Sequence, residues 1–293
     1  MANIEHLALL KQGAVKWIEW RTKNLQLEPD LSEAKLTGVN LRGANLIGAN
    51  LKRADLCKTK LIAANLRGAN LSNANLHEAE LIEANLHEAE LIEANLRGAD
   101  LRGADFSNAN LIGADVRGAD LRGADFSNAN LIAADFRGAN LKEVDLSAAN
   151  LRRTNLSNAN LIAANLCNTN LCNANLHEVE LIGAYLYRAD LHKANLSEAH
   201  LSGTYLFGAN LSEADLYKAD FTWTNLSKAN LSKTNLRGAN LSKANLRGAN
   251  LEEANLRGVN LSKANLEQAN LEQANLEEAN LQGTIMPDGK IHH

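Results

Sequence analysis

From Leu31 to Leu281, every fifth residue is Leu, Phe or Val, fifty-one positions without an insertion or a slip. Only Phe106, Val116, Phe126, Phe136 and Phe221 are not leucine. Two residues before each stands a small side chain, alanine in forty of the fifty cases from Ala34 to Ala279. The position between them is usually Asn or Asp. An α-helix cannot use this pattern, because a step of five overshoots a 3.6-residue turn and the leucines wander around the cylinder. A continuous strand fails as well: side chains alternate, so an odd spacing sends successive leucines to opposite faces. The small residue and the leucine, two apart, share a face. The two residues after the leucine must then both point outward, which demands a bend. Each pentapeptide therefore reads as a short straight edge followed by a corner. Glycine at the second position after the leucine, as at Gly43, Gly68 and Gly103, suits such a corner.

A longer period sets the number of edges in one coil. Residues 101–120, LRGADFSNANLIGADVRGAD, recur nearly unchanged as 121–140. Phe106 pairs with Phe126, Tyr185 with Tyr205 and Tyr187 with Phe207, each at a spacing of twenty. Ile92, Ile112 and Ile132 form a series at the same interval. Charged residues in the Asn/Asp slot meet opposite charges there too: Lys35 with Asp55, and Lys60 with Glu80. Glu180, His200 and Asp220 make a three-step ladder. A short duplication at a spacing of ten (77–85 and 87–95) explains part of the similarity, but not the complementary pairs, whose partners differ. Twenty residues are four pentapeptides. The spacing predicts a four-sided coil in which residues twenty apart are stacked neighbours.

Tandem A(N/D)LXX units, written here as ANLRG, ADLRG, ANLSK and ANLIG, resemble the pentapeptide-repeat family over roughly 250 of the 293 residues. The resemblance implies an all-β fold, a right-handed quadrilateral parallel β-helix with the Leu and Ala positions inward. The handedness agrees with the general preference of parallel crossover connections. Three segments follow: an N-terminal α-helical cap over 1–30, the β-helix solenoid over 31–284, and a C-terminal turn and tail over 285–293. In the cap, Leu7, Leu10, Ala14, Trp17 and Ile18, together with Ile4, approximate a helical apolar face with Arg21 opposite and Trp20 widening it. That face is read as packing on the first coil, in preference to binding a partner or a membrane. Pro29 and Asp30 stop the helix before the repeats. The ending Ile285-Met286-Pro287-Asp288-Gly289-Lys290-Ile291 carries a Pro-Asp-Gly turn, read as a flap over the last coil. Such covers protect strand edges that a solenoid otherwise exposes.

Composition narrows the function. The formal net charge is −4, without the basic excess that free nucleic acid attracts, so no direct nucleic-acid binding is expected. No apolar run approaches membrane-spanning length, and the first residues lack a basic segment followed by an apolar one. The expected location is the cytoplasm, with no membrane association. Cys57, Cys167 and Cys172 are an odd set without framework spacing. Cys57 with His77, and Cys172 with His192, are twenty apart, but two ligands fall short of the four of a structural zinc site, so no metal and no cofactor are expected. The Glu180–His200–Asp220 ladder lacks a nucleophile and a pocket, and no catalytic residues are assigned. Arg247 with Glu267, and Arg257 with Glu277, read as charge compensation between coils.

These readings point to a non-enzymatic scaffold that contacts a protein partner of unknown identity, or a second copy as a homodimer, through flat β-helix faces. The candidate surface is Ile92, Ile112 and Ile132 as one outward ridge, and Tyr185, Tyr187, Tyr205 and Phe207 as an aromatic patch. The alternative for these residues is that β-branched and aromatic side chains simply suit a sheet surface. The resemblance also implies a second function: some relatives are DNA mimics that bind type II topoisomerases such as gyrase. Duplex DNA carries about one charge per 1.7 Å, so a rod of roughly 60 Å needs roughly thirty-five negative charges. Here thirty-four acidic residues interleave with thirty basic ones. The motif KWxxWR (Lys16 to Arg21) and the IMPDGKIH ending resemble cyanobacterial members, which implies a fold rather than a reaction.

Overall fold

The computed structural model describes residues 2–293, apart from the side chain of Ala14. The expected place of Ala14 in the cap face therefore lies outside the described residues. The chain divides into two compact units, Met1–Asp145 and Leu146–His293.

The same local geometry builds both. Each corner is a four-residue turn: Ala44 N–H donates to the Leu41 carbonyl at 3.0 Å across Arg42 and Gly43. Gly43 has φ 64°, the left-handed value that the third residue of a type II turn requires. Side-chain-bearing residues adopt it at many corners, among them Arg53 (57°), Glu83 (54°) and Trp223 (62°). After the corner, the Asn or Asp oxygen accepts from the N–H two residues on, as Asn95 does from Arg97 at 3.2 Å. This Asx turn explains why the slot selects short side chains carrying an oxygen.

Backbone pairing is parallel and joins residues twenty apart. In the first unit the bridges run from Asp30↔Asn50 to Asp125↔Asp145, and in the second from Asn150↔Asn170 to Asn265↔Ile285. Successive bridge partners define levels. Leu51 N–H donates to the Asn70 carbonyl at 2.7 Å, and Asp55 N–H to the Ala34 carbonyl at 2.9 Å. Asparagines add a second ladder outside the backbone. Asn95 Nδ2 donates to Asn75 Oδ1 at 3.0 Å, and Asn195 to Asn175 at 3.1 Å. The leucines and alanines face inward and are buried through both units until the last level. Phe106 and Phe126 stack in the first unit with centroids 4.5 Å apart, and Phe136 meets Phe126 edge-on at 6.2 Å. Where threonine replaces alanine, its hydroxyl finds a carbonyl, as Thr59 does at Leu36 (2.8 Å).

The first unit opens with two helices, α1 (Ile4–Lys11) and α2 (Ala14–Lys23). Asn3 caps α1 by accepting from Glu5 N–H at 2.9 Å. Gly13, at φ 104°, separates the helices. Leu10 and Trp17 are fully buried, and Leu7 is half-buried. Trp17 Nε1 donates to the Asn45 carbonyl at 2.7 Å. Three expectations are corrected here. Ile4, read as part of the apolar face, is exposed. Arg21, read as the polar side, is buried and donates to the carbonyls of Asn24, Leu27 and Ile47. Ile18, read as a packing residue, is exposed. The break at Gly13 lets α2 turn independently, and its inward stripe runs through Trp17 and Arg21, four apart. Ile18 lies about 100° around the helix from Trp17.

The second unit ends in a small antiparallel turn, with Ile285 bridged to Ile291. Leu266 N–H donates to the Ile285 carbonyl at 2.8 Å and Gln268 N–H to that of Pro287 at 3.0 Å. Leu271, Leu276 and Leu281 are only half-buried. The flap thus closes one side of the last level, not all of it.

Candidate interaction surface

In the second unit, tyrosine holds the Asn slot at two successive levels. Tyr185 and Tyr205 are bridge partners, and their rings stack with centroids 5.1 Å apart and planes 7° from parallel. Parallel in-register pairing forces this, because equivalent side chains project from adjacent strands in the same direction. Two residues further on, Tyr187 and Phe207 stack in the same way, at 5.6 Å and 7°. The structure therefore brings together all four aromatic residues expected from the sequence. Tyr185, Tyr187 and Tyr205 are exposed, and Phe207 is half-buried.

Sequence reasoning missed a fifth aromatic residue and the charges around the set. Trp223 occupies the corner just before Asn225, the bridge partner of Tyr205, and 63% of its surface is exposed. A search confined to intervals of twenty cannot find it, because it is eighteen residues from Tyr205. Cations lie over the rings. Lys243 Nζ is 4.3 Å from the Trp223 centroid, Arg188 Cζ is 5.0 Å from that of Tyr187, and Lys228 Nζ is 5.7 Å from that of Phe207. Phe207 and Lys228 also line a hollow of about 410 Å³, together with Ser227, Asn245, Arg247, Gly248 and Gln268. The result is an amphipathic face: ring edges and phenol hydroxyls at the centre, cations at the rim.

Ile92, Ile112 and Ile132 belong to the first unit. They follow one another from level to level, with Glu93 N–H donating to the Ile112 carbonyl and Gly113 N–H to that of Ile132. The three side chains are half-buried. In the slot directly after the leucine, each side chain lies against its neighbours one level away.

Charges in the first unit are largely met locally. Arg117 grips Asp115 through Nε (2.8 Å) and Nη2 (2.5 Å), and Arg122 grips Asp120 at 2.9 and 2.7 Å. These guanidinium hydrogen bonds hold both carboxyls below the ordinary carboxylate range. Asp105 and Asp125 differ. Serine replaces the arginine two residues on, and Ser107 and Ser127 donate backbone N–H groups to the carboxylates at 2.9 and 2.8 Å.

The other expected pairs resolve individually. Arg247 reaches Glu267 at 3.5 Å and Arg257 reaches Glu277 at 3.7 Å. Asp55 is bridged to Lys35 and accepts from the Thr37 hydroxyl at 2.7 Å. Cys172 turns to Asp190 at 2.9 Å, while His192 bonds Ser212 at 2.9 Å. Burial and the Asp190 carboxylate push the Cys172 thiol up to about 11, so it is not an activated nucleophile. His200 lies 4.0 Å from Glu180 in a second hollow, of about 420 Å³, with Glu178, Glu198, Asn158 and Lys218. Among the described residues no group of three or more His, Cys, Asp or Glu side chains could hold a metal ion. Among them, too, no helix is long and apolar enough to cross a membrane.

Comparison with known proteins places the repeat. The family model for pentapeptide repeats matches in eight copies, from residues 30–61 through to 254–288. The chain belongs to the pentapeptide-repeat family. Membership carries the fold, a right-handed quadrilateral β-helix, and the general character of the family, that of non-enzymatic scaffolds. Among solved structures, the chain is 37% identical to HetL, a pentapeptide repeat protein involved in heterocyst differentiation regulation from the cyanobacterium Nostoc sp. strain PCC 7120. That match covers 80% of this chain and 92% of HetL, with a TM-score of 0.35. It is 41% identical to the pentapeptide repeat protein Rfr23 of the cyanobacterium Cyanothece 51142, over 34% of this chain and 64% of Rfr23, with a TM-score of 0.23. It is 19% identical to QnrB1, a plasmid-mediated fluoroquinolone resistance protein, over 69% of this chain and 88% of QnrB1, with a TM-score of 0.32. No curated protein matches the chain.

Proposed function

We propose that this pentapeptide-repeat protein is a scaffold that docks a protein partner through the aromatic face of its second unit. Four pentapeptides close each coil in this reading, and α1 and α2 cap the first of them. One observation carries it: Tyr185 stacks on Tyr205 and Tyr187 on Phe207, Trp223 stands exposed on the corner before the bridge partner of Tyr205, and cations lie over three of these rings. Exposed clusters of Tyr and Trp beside Arg have the composition of interface hot spots. The stacked rings cover one another's faces, so the surface offers edges and hydroxyls rather than open planes for nucleic-acid bases. Three free cysteines fit a reducing compartment, and we place the protein in the cytoplasm.

Charge density argues against DNA mimicry. A single carboxylate ladder such as Asp105–Asp125 offers one charge per level, about 4.8 Å, against about 1.7 Å in the duplex. The neighbouring Asp100, Asp115, Asp120 and Asp135 carry their own arginines.

The test is paired affinity capture from an extract of the source cell, with the wild type and with a variant carrying Tyr205→Ser, Phe207→Ser and Trp223→Ser. The reading expects proteins retained by the wild type and lost by the variant. An identical captured set removes the aromatic face as the docking surface.

A further inference from the structure

We infer that the occupant of the aromatic face is a second copy of this chain, seated through the Asp105–Asp125 ladder of its first unit. The inference rests on the reading of the face as a docking surface and names its partner.

The ladder is an exception to the rules that build the rest of the molecule. Where asparagines stack, the amide of one donates to the oxygen of the level before, as Asn95 does to Asn75. Two stacked aspartates have no such donor and repel each other instead. Elsewhere in the first unit, Asp100, Asp115, Asp120 and Asp135 are each gripped by an arginine two residues on. Asp105 and Asp125 are bridge partners with serine in that position, and among the described residues neither has a cation within ion-pair distance. The aromatic face has the opposite imbalance. Among the described residues Arg188, Lys228 and Lys243 have no carboxylate within ion-pair distance, and each lies over a ring.

The two surfaces also match in spacing. Tyr185 and Tyr205 project their hydroxyls one level apart, and Asp105 and Asp125 project their carboxylates one level apart. Both distances are set by the same parallel pairing, about 4.8 Å. Two phenol O–H groups can therefore donate to two carboxylates in register, giving short charge-assisted hydrogen bonds. The rim cations face the remaining negative charge. A contact between unlike surfaces forms twice in a closed pair or repeats along an open chain, and both are self-association.

The test is sedimentation equilibrium of the full chain at low and high salt, with two variant sets. One carries Arg188→Glu, Lys228→Glu and Lys243→Glu; the other carries Asp105→Lys and Asp125→Lys. All five residues are outside the packed core, and circular dichroism melts verify that each set folds. The wild type is expected to self-associate, about tenfold more weakly at 0.5 M than at 0.05 M salt. Each set alone weakens association by about tenfold or more, and an equimolar mixture of the two restores it, because the intact rim of one set then meets the intact ladder of the other and the reversed rim meets the reversed ladder. A wild type that stays monomeric, or an association that neither set moves or the mixture does not rescue, overturns the inference. If the wild type is monomeric while the serine variant still loses captured proteins, the docking face stands and only the second copy is excluded.

Discussion

Trp223 holds a left-handed backbone, φ 62°, with most of its indole in solvent. A side chain in that conformation costs about 1–2 kcal/mol, and an exposed one recovers little of it by burial. Replacing Trp223 with glycine is therefore expected to raise stability by about 1 kcal/mol while abolishing capture of the partner. Denaturant unfolding and the capture assay, run on the same variant, check both halves. The Asp–Arg pairs give the opposite kind of residue. The carboxyls of Asp115 and Asp120 lie below their ordinary range because Arg117 and Arg122 hydrogen-bond them. A carboxylate depressed in the folded state adds stability above its unfolded pKa, about 3.9, and loses it as pH falls through the folded value. The contribution is thus complete at neutral pH, begins to fall at about pH 4 and is gone only below the depressed folded-state value. These pairs are largely solvated, so each adds little to stability. In Arg117→Ala, the Asp115 carboxyl should titrate back toward the ordinary range, read by NMR, with little change in melting temperature at pH 7.

The helical pair at the start shows what periodicity can and cannot convey. Apolar spacing located a helical segment and put Leu10 and Trp17 in its buried stripe, where they are. It could not place Arg21, because a buried guanidinium is tolerated only when carbonyls converge on it, and those come from Asn24, Leu27 and Ile47, the last two levels of sequence away from any helical pattern. Nor could it place Ile18, whose exposure follows from the break at Gly13. Arg21→Met keeps the apolar stem and removes the donors, leaving the Leu27 and Ile47 carbonyls unpaired at a cost of about 1–3 kcal/mol. Hydrogen exchange should then accelerate in residues 4–50 and stay unchanged in the second unit. The core element is simpler. Phe126→Ala deletes a ring packed between Phe106 and Phe136, and is expected to cost about 3–5 kcal/mol in denaturant unfolding.

Across the whole chain, the repeat fixes where each residue type must go, and the departures from it carry the functional information. The stacking of Tyr185 on Tyr205 and of Tyr187 on Phe207 was legible from spacing alone, because parallel pairing in register leaves identical positions no other neighbour. Trp223 and the cations Arg188, Lys228 and Lys243 were not, since they reach the rings around corners, where side-chain direction rather than interval decides contact. The Ile92–Ile112–Ile132 series follows the same interval, each residue one level from the next. The stacked pairs of the proposed docking face thus depend on residues twenty apart being neighbours. Cross-linking tests that directly. With Cys57, Cys167 and Cys172 replaced by serine, Tyr185→Cys combined with Tyr205→Cys places two thiols on adjacent parallel strands, about 4.8 Å between Cα atoms, within disulfide reach. Mild oxidation and peptide mapping should find an intramolecular disulfide in that variant and none when Tyr185→Cys is combined with Asn210→Cys. A disulfide in the second variant but not the first contradicts the account.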